Sequence, residues 1–519
     1  MSSLRLNPVV FTVAAGAIVA FSVWTLLDGA SSAEAIGAAL AWTSSRFGGF
    51  YVFAMAGYLV FVVGLAVSPW GRLRLGPPDA RPEYPLLTWA AMLFAAGIGI
   101  DLLFFCVAEP LSHFLAPPLV EGATPAAARR AIDLTFLHWG LSGWGVYTLV
   151  GLCLAFFCYR RGQPLTVRSA LSALPAGIGR GASGYAVEVA AVLATVFGIA
   201  ASLGIGILQL SAGLERLLGL TPGRWLLAGL ALLVVAGAAL SAALGVDRGI
   251  RRLSEFNMLL AAALLGFVLL AGDTAALLGA LAADVGSYLA GFPGLAFEAY
   301  ALDLPRDWLN AWTVFFWAWW IAWGPFVGMF LARISRGRTI RSFVAGTLLL
   351  PLVFMMSWMS VMGNSAIELA SGGADELARA ALESPGSAIY EFLGLLPWPA
   401  LTGLAATVLA LVFFVTSGDS GALVLANMTS HADADGDHLR DGPVWLRLWW
   451  AGVIGALTLA LLLAGGLATL QSAVVVMGLP FAVVLCLMAW GLVRALLAES
   501  PAGGLPAATA PARRTPDPD

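Results

Sequence analysis

A carboxylic acid inside a long apolar stretch is the first residue in this sequence that could do chemistry. Asp101 lies about fifteen residues past Leu86, where the apolar stretch begins, and it closely follows Gly97 and Gly99. A charge buried in hydrocarbon costs a few kcal/mol, so such a residue usually has a function. Two nearby glycines weaken a helix and allow backbone groups to face a cavity. The pattern predicts a broken helix that carries a functional carboxylate.

Tryptophans form the second unusual pattern. Six of the 19 tryptophans of the chain lie between residues 308 and 323. The membrane–water interface accounts for those at the start of this stretch, but not for Trp319, Trp320 and Trp323, which should lie deeper. The next residues, Gly324-Pro325, predict that this helix is also interrupted.

A further aromatic group precedes these tryptophans and consists of Trp139, Trp144 and Tyr147. A quaternary ammonium cation has no hydrogen-bond donor, so a protein holds it by charge and by aromatic faces. Each dry cation–π contact is worth about 2 kcal/mol or more. Taken singly, each tryptophan also fits a packing or lipid-facing role. Together with Asp101, the two aromatic groups favour a site for a methylated cation.

Hydroxyl groups form a third, weaker pattern. Thr416 and Ser417 begin the segment Thr416-Ser-Gly-Asp-Ser-Gly421, at the end of another apolar run. Hydroxyls beside a broken helix are typical oxygen ligands of a small cation. A polar helix end explains the segment equally well.

The elements that position these residues must be membrane helices. Of the 519 residues, 60% are hydrophobic and only 11% are charged, with a mean hydropathy of +0.89. A soluble domain carries about 25% charged residues, so a soluble fold is excluded and the lipid bilayer is an expected partner. The net charge is −3 and no basic run exists, which excludes a nucleic-acid partner.

Twelve segments are long and apolar enough to cross the bilayer as helices. They are approximately Val9–Leu27, Phe47–Ser68, Leu86–Val107, Phe136–Tyr159, Val189–Leu214, Trp225–Val246, Phe256–Gly272, Leu309–Ala332, Phe343–Met362, Leu401–Val415, Leu448–Leu467 and Ala473–Val493. Two more stretches, Thr274–Leu295 and Ser387–Pro397, are predicted to be too polar or too short to cross, and to be interfacial or re-entrant.

The arginines orient this map. With a cytoplasmic N-terminus, 20 of the 27 basic residues fall in inside loops and 7 in outside loops. Inside loops carry the excess of positive charge, so both termini are predicted to be cytoplasmic.

Several motifs together resemble the betaine/choline/carnitine transporters. They are Gly97-Ile-Gly-Ile-Asp-Leu-Leu-Phe-Phe105, Ala108-Glu-Pro110, His138-Trp-Gly140, Trp144-Gly-Val-Tyr147, Arg160-Arg-Gly-Gln-Pro-Leu-Thr-Val-Arg168-Ser-Ala-Leu171, Trp317-Ala-Trp-Trp-Ile-Ala-Trp-Gly-Pro-Phe326, Ala332-Arg-Ile-Ser-Arg-Gly-Arg-Thr-Ile-Arg341 and Thr416-Ser-Gly-Asp-Ser-Gly-Ala-Leu423. The resemblance extends from about residue 8 to residue 497, and the tryptophan segment is highly specific.

The resemblance implies an all-α polytopic membrane protein with two peripheral helices and a 5+5 inverted repeat containing broken helices. Residues 1–85 would form the peripheral pair, 86–307 the first repeat with an interfacial helix, 308–497 the second repeat, and 498–519 a disordered cytoplasmic tail. It also implies a homotrimer in a bacterial-type inner membrane.

The resemblance also implies roles for single residues. The aromatic box of the family corresponds to Trp139, Trp144, Tyr147, Trp319, Trp320 and Trp323, and Phe330 lines the path further in. Asp101 stands where sodium-coupled betaine carriers usually have glycine, as in proton-coupled choline carriers. Thr416 and Ser417 match sodium-site hydroxyls, which keeps sodium open as the coupling ion.

The resulting hypothesis is choline import by proton symport and alternating access, with Asp101 sensing either the choline hydroxyl or the coupling proton. The alternative is sodium-coupled uptake of glycine betaine or another zwitterionic osmolyte. An enzyme is not expected, because no HExxH, GxSxG or phosphate-binding loop occurs in a suitable place. Neither a metal nor an organic cofactor is expected.

Overall fold

The described residues of the chain fold into helices. The computed structural model describes residues 6–97, 99–175, 177–244, 247–297, 306–430 and 442–499. In these ranges there is no strand, only two isolated β-bridges, Leu6 with Ser430 and Arg74 with Thr339. The predicted all-α class is confirmed.

Seventeen α-helices are described in chain order. They are α1 Pro8–Leu27, α2 Gly29–Val67, α3 Leu86–Gly97, α4 Ile100–Leu115, α5 Pro125–Trp139, α6 Leu141–Ala155, α7 Gly181–Leu218, α8 Arg224–Leu244, α9 Asp247–Ala271, α10 Thr274–Phe297, α11 Arg306–Leu309, α12 Phe315–Arg333, α13 Ile340–Ser371, α14 Asp375–Glu383, α15 Pro385–Gly394, α16 Pro399–Met428 and α17 Val444–Leu497. Short 3₁₀ segments cover Pro69–Arg72 and Val167–Leu171, and π-helical turns cover Phe156–Arg160 and Asn310–Val314.

By length and composition, nine helical segments of the described chain could cross a membrane. One of them is α10, which has 24 residues, so the prediction that this stretch is too polar or too short to cross is wrong by that measure. The other predicted interfacial stretch corresponds to the ten-residue α15. The apolar parts of α8 and α9 are shorter, and α3 and α4 are separate helices of 12 and 16 residues.

Helix α17 contains two of the predicted spans. It has 54 residues, which at 1.5 Å per residue is about 80 Å and far exceeds a hydrocarbon core of about 30 Å. Gly465 and Gly466 have non-helical backbone angles, and Gly466 has a φ of 66°, which favours glycine. The predicted spans Leu448–Leu467 and Ala473–Val493 lie almost entirely on opposite sides of this kink.

The predicted break after Gly97 is confirmed. Helix α3 ends at Gly97, α4 begins at Ile100, and Gly99 between them is extended, with φ −136° and ψ −179°. A comparable break was not predicted in the fourth span. There α5 ends at Trp139, and Gly140, with φ −92° and ψ −138°, separates it from α6.

Two helix interruptions that the sequence predicts do not occur in the structure. Helix α12 continues through Gly324-Pro325, because α6 packs closely against this face and Val146 and Val150 contact Gly324. Neighbouring helices allow a proline inside a membrane helix. The irregular part of this segment is the π-helical turn Asn310–Val314. Helix α16 likewise continues past the segment that begins at Thr416 and ends only at Met428.

The predicted tail lies almost wholly outside the described residues, which end at Glu499. The carboxylate of this residue pairs with Arg160 at 2.5 Å and with Arg161 at 3.2 Å, next to the π-helical turn that ends α6. The end of α17 is therefore held against the end of α6.

Candidate functional site

The structure brings the aromatic residues of α5, α6 and α12 together. The ring centroids of Tyr147 and Trp320 are 4.8 Å apart, and those of Trp144 and Trp320 are 6.1 Å apart. Trp139 contacts Trp319 and Trp320 edge to face, at 5.9 and 6.2 Å. All five side chains are buried. We call this group the aromatic cluster.

Ser202 on α7 connects the aromatic cluster to the acidic group. Its hydroxyl accepts hydrogen bonds from the indole nitrogens of Trp319, at 3.2 Å, and Trp323, at 3.1 Å. It also interacts electrostatically with the Asp101 carboxylate. Asp101 is buried and interacts electrostatically with Tyr147. The predicted carboxylate and the predicted aromatic residues therefore belong to one site.

Two breaks in the helices position this site. Gly99 is extended and places Asp101 in the first turn of α4. Gly140 ends α5 at Trp139, and the freed N–H of Leu141 donates to the hydroxyl of Tyr288 on α10 at 3.1 Å. Helix termini carry unpaired backbone groups that need such partners.

Glycine also allows α6 to approach α12. A Cβ atom on Gly143 would lie 2.2 Å from the indole ring of Trp320, far closer than real contacts permit. The ring of Trp320 thus lies directly on the α6 backbone, and its indole nitrogen donates to the carbonyl of His138 at 2.8 Å. The position of this ring is closely defined by α5 and α6.

Among the described residues, two buried polar atoms of the site have no hydrogen-bond partner. They are Oδ1 of Asp101, an acceptor, and Nε1 of Trp144, a donor. A buried polar atom without a partner costs about 1–3 kcal/mol, so each is suited to a polar group of a ligand.

A second carboxylate lies beside the aromatic cluster. Glu109 is fully buried on α4, two turns past Asp101. Its Oε2 accepts a hydrogen bond from the indole of Trp139 at 2.7 Å, and its Oε1 lies 2.7 Å from Nδ1 of His138 and 3.4 Å from Nε2 of His113. The rule applied to Asp101, a carboxylate deep inside an apolar span, would have found it. We call Glu109, His113 and His138 the Glu109 cluster.

The Glu109 cluster has the residue types of a metal site but not its spacing. Each side chain offers one ligand-type atom, and these atoms lie within 4.8 Å of one another. Two ligands of one tetrahedral zinc ion lie about 3.3 Å apart, given bonds of about 2.0 Å. The 2.7 Å between Glu109 and His138 is instead the distance of a hydrogen bond that shares a proton.

Three predicted residues lie apart from this geometry. Phe330 is half-buried on α12, seven residues past Trp323. Thr416 and Ser417 are half-buried within α16, and the hydroxyl of Thr416 donates to the carbonyls of Val412 and Phe413 in its own helix. Their predicted roles in the pathway and in ion binding remain predictions.

The rings of the aromatic cluster contact one another. The ring planes of Tyr147 and Trp320 are tilted by 55° with their centroids 4.8 Å apart, so these rings are neighbouring walls rather than opposed faces. A cation bound by both rings would lie within about 6 Å of each centroid.

Two observations indicate the class of this protein. Its helices can cross a membrane, and they are broken around a buried carboxylate and buried indole rings. Residues 9–501 match the model of the betaine/carnitine/choline family of transporters. The chain belongs to this family, and it is a transport protein rather than an enzyme. The predicted family is confirmed.

Particular relatives are similar over nearly the whole chain. The osmo-dependent choline transporter of Acinetobacter baylyi is 48% identical over 95% of this chain and 72% of its own length. The high-affinity choline transport protein of Escherichia coli K12 is 48% identical over 95% of this chain and 73% of its own. The glycine betaine transporter of Acinetobacter baylyi is 43% identical over 88% of this chain and 68% of its own.

Proposed function

We propose that this protein imports choline by proton symport and alternating access. The single observation that carries the proposal is a buried carboxylate, Asp101, one helical turn from Phe105, whose ring lies 6.0 Å from Trp139 and 6.2 Å from Trp319. A carboxylate and aromatic faces are the groups that bind a methylated cation. Two relatives at 48% identity are named as choline transporters, which supports the same substrate.

The unpartnered atoms favour choline over glycine betaine. The hydroxyl of choline can donate to Oδ1 of Asp101 and accept from Nε1 of Trp144, the two buried atoms without partners. The carboxylate of betaine can accept from the indole but would be repelled by an ionised Asp101. Choline therefore satisfies both atoms, and betaine only one.

The driving force is sufficient for accumulation. Moving one positive charge inward gains about 2.3 kcal/mol for each 100 mV of membrane potential. A proton carried with choline adds a second charge and so doubles that gain. Alternating access fits the burial of the aromatic cluster, because a buried site must open toward one side of the membrane to admit its substrate.

The proposed architecture has twelve spans, with residues 1–85 as two peripheral helices and residues 86–307 and 308–497 as inverted repeats. The break at Gly99 and the π-helical turn Asn310–Val314 lie in the first span of each proposed repeat. We further propose a homotrimer in a bacterial inner membrane with both termini in the cytoplasm. The excess of inside arginines supports this orientation.

Sodium-coupled uptake of glycine betaine is the second candidate. A relative at 43% identity is named as a glycine betaine transporter, and Thr416 and Ser417 offer hydroxyl oxygens suited to sodium. In this candidate, Phe330 would line the path of the zwitterion, as it would for choline.

Uptake of labelled choline into proteoliposomes tests the proposal. Proton and sodium gradients are imposed separately, and unlabelled glycine betaine is added as a competitor. We expect the inward proton gradient to drive accumulation, the sodium gradient to have no effect, and betaine to compete poorly. Accumulation driven by sodium alone, with strong competition by betaine, would establish the second candidate instead.

A further inference from the structure

The Glu109 cluster is a group of titratable side chains that the choline site does not use. Glu109, His113 and His138 are all fully buried. Glu109 and His138 share a hydrogen bond of 2.7 Å, and the other ring nitrogen of His138 lies 3.0 Å from the hydroxyl of Thr313. The ring of His113 lies against Trp312 at 4.5 Å, and neither of its nitrogens has a hydrogen-bond partner among the described residues.

Groups from α5 and from the segment before α12 face the cluster. Arg130 on α5 interacts electrostatically with His113. On the other side lie the hydroxyl of Thr313 and the ring of Trp312, both in the π-helical turn, and the ring of Trp308 in α11.

The cluster is connected directly to the aromatic cluster. Oε2 of Glu109 accepts a hydrogen bond from the indole of Trp139, whose ring contacts Trp319 and Trp320. The carbonyl of His138 accepts a hydrogen bond from the indole of Trp320. Both hydrogen bonds come from residues at or beside the break at Gly140, so a change at Glu109 reaches two rings of the choline site.

We propose that the Glu109 cluster carries the coupling proton and that its protonation state is transmitted to the choline site through Trp139. This inference rests on proton symport as proposed above, and it assigns Asp101 to substrate binding. The cluster accepts one proton from water on one side of the membrane and releases it on the other. A neutral carboxyl accepts a hydrogen bond more weakly than a carboxylate, so protonation of Glu109 loosens Trp139, a ring of the choline site.

The variant Glu109→Gln tests the inference in the reconstituted full-length protein. Glutamine keeps the size of the side chain and offers Trp139 a neutral acceptor, so it imitates the protonated state, but it can neither take up nor release a proton. Choline exchange at equal pH on both sides needs no net proton movement and reports folding and binding. We expect this exchange to persist in Glu109→Gln.

Accumulation under a pH gradient is the decisive readout. For one proton per choline, a gradient of one pH unit at fixed voltage raises the accumulation ratio of the unmodified protein about tenfold. We expect Glu109→Gln to show no such response. The control is Asp284→Asn, which removes a half-buried carboxylate that is hydrogen-bonded to Ser360 and Asn364 instead. This control should keep the tenfold response.

The outcomes separate the two proposals. If the unmodified protein does not respond to the pH gradient, proton symport itself is wrong. If it responds and Glu109→Gln responds equally, only the assignment of the proton to the cluster is overturned. If Glu109→Gln does not exchange choline, the variant His138→Gln is tested instead, because this variant keeps the hydrogen bond between Glu109 and Trp139. We expect His138→Gln to shift the pH midpoint of choline uptake, and an unchanged midpoint would overturn the inference.

Discussion

At the residue scale, the hydroxyl of Ser202 joins the acidic and aromatic parts of the site. It accepts hydrogen bonds from two indole nitrogens and interacts electrostatically with Asp101. Trp323 has a second acceptor in the carbonyl of Gly198, at 3.1 Å. Trp319 depends on Ser202 alone among the hydrogen bonds of the described residues. The orientation of Trp319 is therefore the feature most sensitive to this hydroxyl.

The variant Ser202→Ala should weaken choline binding. Hydrogen bonds between membrane helices are worth about 0.6–1.7 kcal/mol, so the loss corresponds to an affinity about threefold to twentyfold lower. Equilibrium binding of labelled choline to the purified protein measures the change. Ser211→Ala is the matched control, because Ser211 lies on the same helix and its buried hydroxyl has no hydrogen-bond partner among the described residues. Equal affinities in both variants would contradict a role for Ser202.

The residues of the site could be predicted unequally well from the sequence. Asp101 was found because a carboxylate in an apolar span is costly wherever the chain folds. Glu109, eight residues later, follows the same rule. Its role, however, depends on His138 and Trp139, and only the packing of α4 against α5 brings these residues near. Ser202 gave no sequence signal, because a single serine in an apolar helix is common.

At the scale of helices, the contact between α6 and α12 requires a glycine. Substitution of Gly143 by alanine would place a methyl group within 2.2 Å of the rigid indole of Trp320. The ring must then move, and we expect the loss of one cation–π contact of about 2 kcal/mol, or roughly thirtyfold in choline affinity.

The control for Gly143→Ala is Gly57→Ala on α2, where an added methyl group meets no atom within 4 Å. Both variants gain the higher helix propensity of alanine, so the comparison isolates the contact with Trp320. Choline binding to the two purified variants checks the prediction. A Gly143→Ala protein with unchanged affinity would show that Trp320 does not contact the substrate.

Breaks in helices were predictable only where the local sequence determines them. Two glycines at 97 and 99 weaken α3 and α4 whatever surrounds them, and the break was predicted. A single glycine such as Gly140 fits a continuous helix, and the hydroxyl of Tyr288 on a distant helix supports the break. Pro325 was expected to interrupt a helix that packing against α6 keeps continuous.

At the scale of the whole molecule, composition determined the class and the family match identified it. The low charge content and long apolar segments led directly to a polytopic helical protein. The arrangement of helices around the site depends on contacts between distant segments, such as α12 with α6 and α7. Sequence periodicity within one helix does not specify such contacts.

Alternating access, as proposed, requires the whole molecule to move. The rings of Tyr147, Trp144 and Trp320 are buried. These rings belong to α6 and α12, so opening the site requires the two helices or their side chains to shift. In transporters with broken helices, access alternates largely by movement of one repeat or bundle against the other.

A structure determined with choline bound tests the central claim most directly. We expect the trimethylammonium group against the faces of Tyr147 and Trp320, with the choline hydroxyl within 2.5–3.0 Å of Asp101, as a hydrogen bond to a carboxylate requires. Choline bound elsewhere in the protein, away from these rings and with Asp101 unpaired, would contradict the claim.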